Sequence, residues 1–163
     1  TDAAPLDMSD FEAQGDQAYL LRLARELDDA ILHLRLNEPE LGLLVFRTQG
    51  DPELVLSHEA VLVSNADHWL ANEVLKYWKR VLKRIDVTSR SLVALVEHGS
   101  CFAGVLAELL FSVDRSYMME DEFEGDNRPL ATLTLSDANF GIFLFAFFQF
   151  FPKHFAFIYT RSY

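Results

Sequence analysis

Apolar positions recur at intervals of three and four between Asp16 and Asn37. Leu20, Leu23, Leu27, Ile31 and Leu34 therefore share one side of a helix. Arg22, Arg25, Glu26 and Asp29 fall mostly on the other side. Glu38-Pro39-Glu40 closes the helix, because proline disfavours helical geometry in the residue before it. The run LGLLVFRT (41–48) is continuously apolar and of strand length, a pattern that predicts a strand buried on both faces of a parallel sheet. Gln49-Gly50-Asp51-Pro52 interrupts it.

A second helix is expected over 65–85, with Ser64 as its cap and Asp67 completing a partial capping box. Its apolar stripe is Leu70, Val74, Tyr77, Trp78, Val81, Leu82 and Ile85. SLVALVEH (91–98) is a second buried-strand candidate, followed by a small-residue loop from Gly99 to Gly104 and a short helix from Val105 to Phe111. Ser116–Met119 reads as a short strand, 120–129 as an acidic solvated loop, and LATLTLS (130–136) as a third strand. Helices alternating with strands predict an α/β fold in which 41–48, 91–98 and 130–136 share one mainly parallel sheet.

Composition narrows the function classes. A net charge of −11 on 163 residues argues against a nucleic-acid binder, since neutralising phosphates needs a basic excess. One cysteine excludes an intrachain disulfide, and the five dispersed histidines offer no zinc-binding spacing, so no metal site is expected. The partition reads as a polar, loose lead-in (1–15), an α/β domain (16–141) and a Phe-rich apolar tail (142–163). The lead-in contains no Lys or Arg and so lacks the basic start of a secretion signal, which leaves a cytoplasmic protein as the expectation. The tail's uninterrupted apolar part ends at Phe151, short of the roughly 20 residues a membrane span needs, and membrane contact is not expected.

The chemically informative stretch is 91–119. There a buried strand runs into a glycine-containing loop that opens a helix. Unpaired N–H groups at such a start stabilise negative charge, and small residues let a carbonyl oxygen approach the backbone, as an oxyanion hole requires. Cys101 and His98 lie in the same loop, but nothing in the sequence orients a base toward the sulfur, so Cys101 reads as a small buried residue. Lys76, Lys79, Arg80, Lys83 and Arg84 form a basic stripe on the second helix, suited to phosphates, to an acidic partner or simply to solvent.

His98-Gly99, Cys101-Phe102-Ala103-Gly104, Glu108-Leu109 and Asp114-Arg115 resemble the loop-and-helix motif of the crotonase superfamily of acyl-CoA hydratases and isomerases. TLTLSDANFG (132–141) resembles that superfamily's next strand, with Asp137 where a glutamate is usual. The stretches 23–48, 77–104, 106–118 and 135–141 are similar, more specifically, to the later crotonase-like half of the benzoyl-CoA-dihydrodiol lyases. The resemblance implies a partial crotonase-like fold and a water-dependent lyase that opens ring-oxidised benzoyl-CoA and releases formate in aerobic benzoate degradation. It also implies no cofactor beyond the CoA thioester substrate.

Carried over residue by residue, it makes Gly104 and Val105 the oxyanion donors and Glu108 and Asp137 the proton-moving carboxyls. Lys79, Arg80 and Lys83 become contacts for CoA phosphates. The residues' own alternatives are an exposed helix position for Glu108 and a turn or cap for Asp137. Three departures imply an incomplete or weakly active enzyme. The family's earlier half has no counterpart here, TQGDPELVLSHEAVL (48–62) lacks the usual Ala-Gly-Ala-Asp-like donor turn, and the Phe-rich tail replaces the family's continuation after Gly141. The expected partners are an acyl-CoA and a second copy or partner domain. The competing function is a non-catalytic scaffold half, and a membrane-associated module rests on the tail alone.

Overall fold

A computed structural model of the chain describes residues 3–119, 130–143 and the backbone of 155–158. Helix α1 (Met8–Gln14) is capped by the Asp7 carboxylate, which accepts from Asp10 N–H, and it ends at Gly15 with φ +56°. Its Met8 and Phe11 are buried, so the expected lead-in contributes side chains to the core. After a 3-10 turn (Gly15–Gln17) comes α2 (Tyr19–Asn37). Strand β1 (Leu43–Arg47), α3 (Pro52–Ser64), α4 (Trp69–Asp86) and β2 (Ser91–Val96) follow. A 3-10 turn (Gly104–Leu106) leads into α5 (Glu108–Ser112), then β3 (Arg115–Met119) and α6 (Asp137–Phe140). The backbone of Phe155–Ile158 forms β4.

The sheet is parallel throughout, in the order β1-β2-β3-β4. Thus 41–48 and 91–98 share one sheet as expected, but 130–136 does not join them. The position beside β2 is filled by β3, and the far edge of β3 is filled by β4. What remains for 130–136 is one parallel bridge between Ala103 and Thr134. Strand β1 also departs from expectation: Leu43 and Val45 are about half exposed, at 53% and 47%. It is an edge strand with its alternate residues turned outward, so it is not buried on both faces.

Ser64 does not cap the second long helix. It ends α3, where its hydroxyl donates to Ala60 O, and α4 begins at Trp69 after His68. Pro52 stands at the first turn of α3, where a missing N–H costs nothing, and Asp51 caps that helix by accepting from Glu53 N–H.

The core lies between the helices and the face of the sheet that carries Leu92, Ala94 and Val96. Helix α4 contributes Val74, Trp78, Val81, Leu82 and Ile85. It is clamped to α2 by Trp78 Nε1–H donating to Leu20 O at 3.0 Å and by Arg84 paired with Asp28. Tyr77 also donates to Asp28, which explains a buried aspartate on the inner face of α2. Asp114 matches the entrance of β3 to β2: its N–H donates to Leu92 O and its carboxylate accepts from Leu92 N–H. The acidic loop 120–129 lies outside the described residues, as does most of the Phe-rich tail. Among the described residues, no helix is long and apolar enough to cross a membrane.

Candidate active site

The carboxyl ends of β1 and β2 bring two loops together. Gly50 N–H donates to Gly99 O at 3.1 Å, and Cys101 N–H donates to the Thr48 hydroxyl at 3.0 Å. Cys101 is buried, and burial pushes its thiol up, away from the reactive thiolate. Beyond it the chain turns at Gly104, with φ +49°, a left-handed value that suits glycine. Gly104 N–H donates to Thr134 O, and Thr134 N–H donates to Phe102 O, which ties 130–136 to this turn.

The next amide, Val105 N–H, donates to Glu59 Oε2 at 2.5 Å. The other oxygen of Glu59 accepts from the Ser136 hydroxyl, also at 2.5 Å. Gly104 makes room for this carboxylate, since a Cβ there would lie 2.7 Å from the Glu59 carboxyl carbon. The two residues proposed from sequence as oxyanion donors are thus both engaged inside the protein, Gly104 by a carbonyl and Val105 by a carboxylate. An acyl oxygen could take the Val105 N–H only by replacing Glu59.

Glu108 is fully buried at the start of α5. Its Oε1 accepts from Asn139 Nδ2 at 2.6 Å, and the same amide group donates to Gly104 O. Its Oε2 is buried and has no hydrogen-bond partner among the described residues. Burial raises its pKa to about 7, the Asn139 hydrogen bond opposes that rise, and the Glu59 charge adds to it. Glu59 is also raised by burial, against the lowering effect of Ser136 and Val105 N–H. The network therefore runs Glu59–Ser136–Asn139–Glu108, with Ser136 N–H and Oγ both directed to Asn139 Oδ1. In chemical terms it offers one amide donor and two buried carboxyls, of which Glu108 can hold or release a proton near neutral pH.

Asp137 is brought near in the chain but turned away: it is exposed on the first turn of α6, and Asn139 meets Glu108 instead. The basic stripe also lies apart from Glu108, on the solvent side of α4, with Lys79, Arg80 and Lys83 exposed. Lys83 pairs with Asp86, Lys76 with Glu73 and Arg84 with Asp28, while Arg80 lies over the Tyr77 ring. Sequence reasoning missed Glu59, Ser136 and Asn139. One usable signal was the polar His58-Glu59 pair inside the apolar run of α3, and another was the Ser136-x-x-Asn139 capping box.

No family model matches the chain. Over 135 residues, 83% of the chain, it is 48% identical to a benzoyl-CoA-dihydrodiol lyase of Aromatoleum evansii. The aligned stretch makes up 23% of that protein, so the similarity is to a portion of such an enzyme.

Proposed function

From its similarity to a portion of a benzoyl-CoA-dihydrodiol lyase, we propose that this chain takes part in a lyase reaction on a CoA thioester. In this reading ring-oxidised benzoyl-CoA is cleaved with water and formate leaves, with no cofactor beyond the CoA thioester. The observation that carries the reading is Glu108, a buried carboxyl beside the Gly104 turn with one oxygen unpartnered among the described residues and a pKa raised by burial to about 7. Such a group can donate and recover a proton at physiological pH. The thioester oxygen would take the Val105 N–H in place of Glu59, and negative charge developing on it would be stabilised there. Lys79, Arg80 and Lys83 would meet the CoA phosphates. A single donor of this kind gives a slow enzyme, because losing one oxyanion donor costs about 100- to 1,000-fold in rate.

The second reading is a non-catalytic half that supports another catalytic part. The engaged Val105 amide and the outward-facing Asp137 favour it. Formate release from the ring-oxidised thioester separates the two readings. The catalytic reading expects release above the uncatalysed background and its loss in Glu108→Gln. Equal release by both chains, or none above background, assigns the support role.

A further inference from the structure

The sequence pairs Glu108 with Asp137, but the geometry points to another partner. We propose that Glu59 and Glu108 form one proton-sharing carboxyl pair, in which Glu59 is a positioning residue whose charge adds to burial in favouring the proton on Glu108. The inference deepens the catalytic reading of this turn and rests on it for its use, though not for its test.

Glu59 reaches Val105 N–H from 46 residues upstream, and Glu108 meets Asn139, whose side-chain amide also donates to Gly104 O, so both carboxyls are tied to one short turn. Glu59 lies on Val105 N–H and on the Ser136 hydroxyl, two donors that suit an ionised carboxylate. Glu108 receives one neutral amide donor and keeps a buried oxygen with no partner among the described residues, an arrangement that suits the protonated acid. Two charges in so dry a place would be costly, so one proton between them is the stable count.

Among the described residues no lysine or arginine pairs with either carboxyl, and the titratable group next to Glu59 on α3 is His58, buried against the Tyr19 ring. Helix α4, packed on α5, turns Val74, Trp78 and Val81 inward, and β3 contributes the Ser116 hydroxyl, which donates to Leu110 O. Helix α6 contributes the neutral Asn139, while its Asp137 is exposed. Among the described residues, the charge that acts on Glu108 is that of Glu59, a smaller effect than burial. The relay Ser136–Asn139 joins the two carboxyls, so a change at one alters the hydrogen bonding of the other. Pairs whose surroundings push their pKa values apart are the usual source of an acid and a base on one site.

The test is a carbon-13 NMR titration of the whole chain labelled at glutamate side-chain carboxyls, with no substrate present. Glu108→Gln identifies the resonance that titrates near neutral pH by removing it. In Glu59→Gln that titration should move down, toward the ordinary carboxyl range, because one nearby like charge is lost. A midpoint unchanged in a folded Glu59→Gln chain overturns the pair. Should that variant not fold, Ser136→Ala keeps both carboxyls and withdraws the donor that favours Glu59 charge. The Glu59 step should then move up, and a step that stays in place overturns the proposal. Failure of this titration leaves the lyase reading standing, and failure of formate release leaves the carboxyl pair standing.

Discussion

Replacing Glu108 by glutamine should make the protein more stable at neutral and alkaline pH, although a buried ionisable residue is being removed from a candidate active site. The Glu108 carboxyl rises from an ordinary 4.5 to about 7 on folding. Between those values the folded state holds a proton that the unfolded chain has released. Stability therefore falls as pH rises through this window, and the loss is complete above the folded value. At about 1.4 kcal/mol per unit, the cost of ionising buried Glu108 reaches ~3 kcal/mol at pH 8. Glutamine keeps the oxygen that accepts from Asn139 and carries no charge at any pH. Urea unfolding, read through the buried Trp78, should show Glu108→Gln about 3 kcal/mol more stable than the parent at pH 8. That advantage should shrink toward zero by about pH 4.5. A stability difference that stays the same from pH 5 to pH 8 would refute the reasoning, because it would mean that Glu108 titrates alike in both states.

Other substitutions probe the parts that hold this turn. Gly104→Ala should cost more than about 2 kcal/mol in denaturant unfolding, since it meets both a left-handed φ and the Glu59 carboxyl. Pairing it with Glu59→Ala should recover part of that loss, and a purely additive double variant would show that the two residues do not meet. Trp78→Phe should cost about 2 kcal/mol by removing the indole donor to Leu20 O and leaving the core underfilled, measured by the same unfolding. Calorimetric titration with benzoyl-CoA should show affinity weakening with added salt and in a Lys79→Glu, Lys83→Glu variant. Equal affinities would remove the α4 stripe from the binding site.

The sequence made some of this architecture legible and concealed the rest for physical reasons. Helix α4 was readable because its apolar stripe keeps a helical period and is the stripe that the core buries. Helix α3 was hidden because Asp51-Pro52 has two meanings, a break in a run or a cap followed by the first helical residue, and only tertiary packing decides. The segment 130–136 alternates like a strand, but a sheet position is awarded by competition for hydrogen-bonding edges, and β3 holds the one beside β2. At the site, the Gly104 turn and Glu108 were visible because their residue types and spacing are local. Glu59 reaches the same turn from 46 positions upstream, and no local pattern carries that contact. Asp137 was the plausible partner by its place in the chain, yet α6 presents Asn139 to Glu108 in its stead.

The central claim is that an acyl oxygen can occupy the Val105 amide that Glu59 now holds. Isotope-edited infrared spectroscopy of benzoyl-CoA labelled with carbon-13 at the thioester carbonyl tests it most directly. On binding, the carbonyl stretch is expected to fall in frequency as the Val105 N–H polarises it, and to fall further in Glu59→Ala, where that donor is released. A thioester that binds both chains with its carbonyl stretch unshifted would contradict the account.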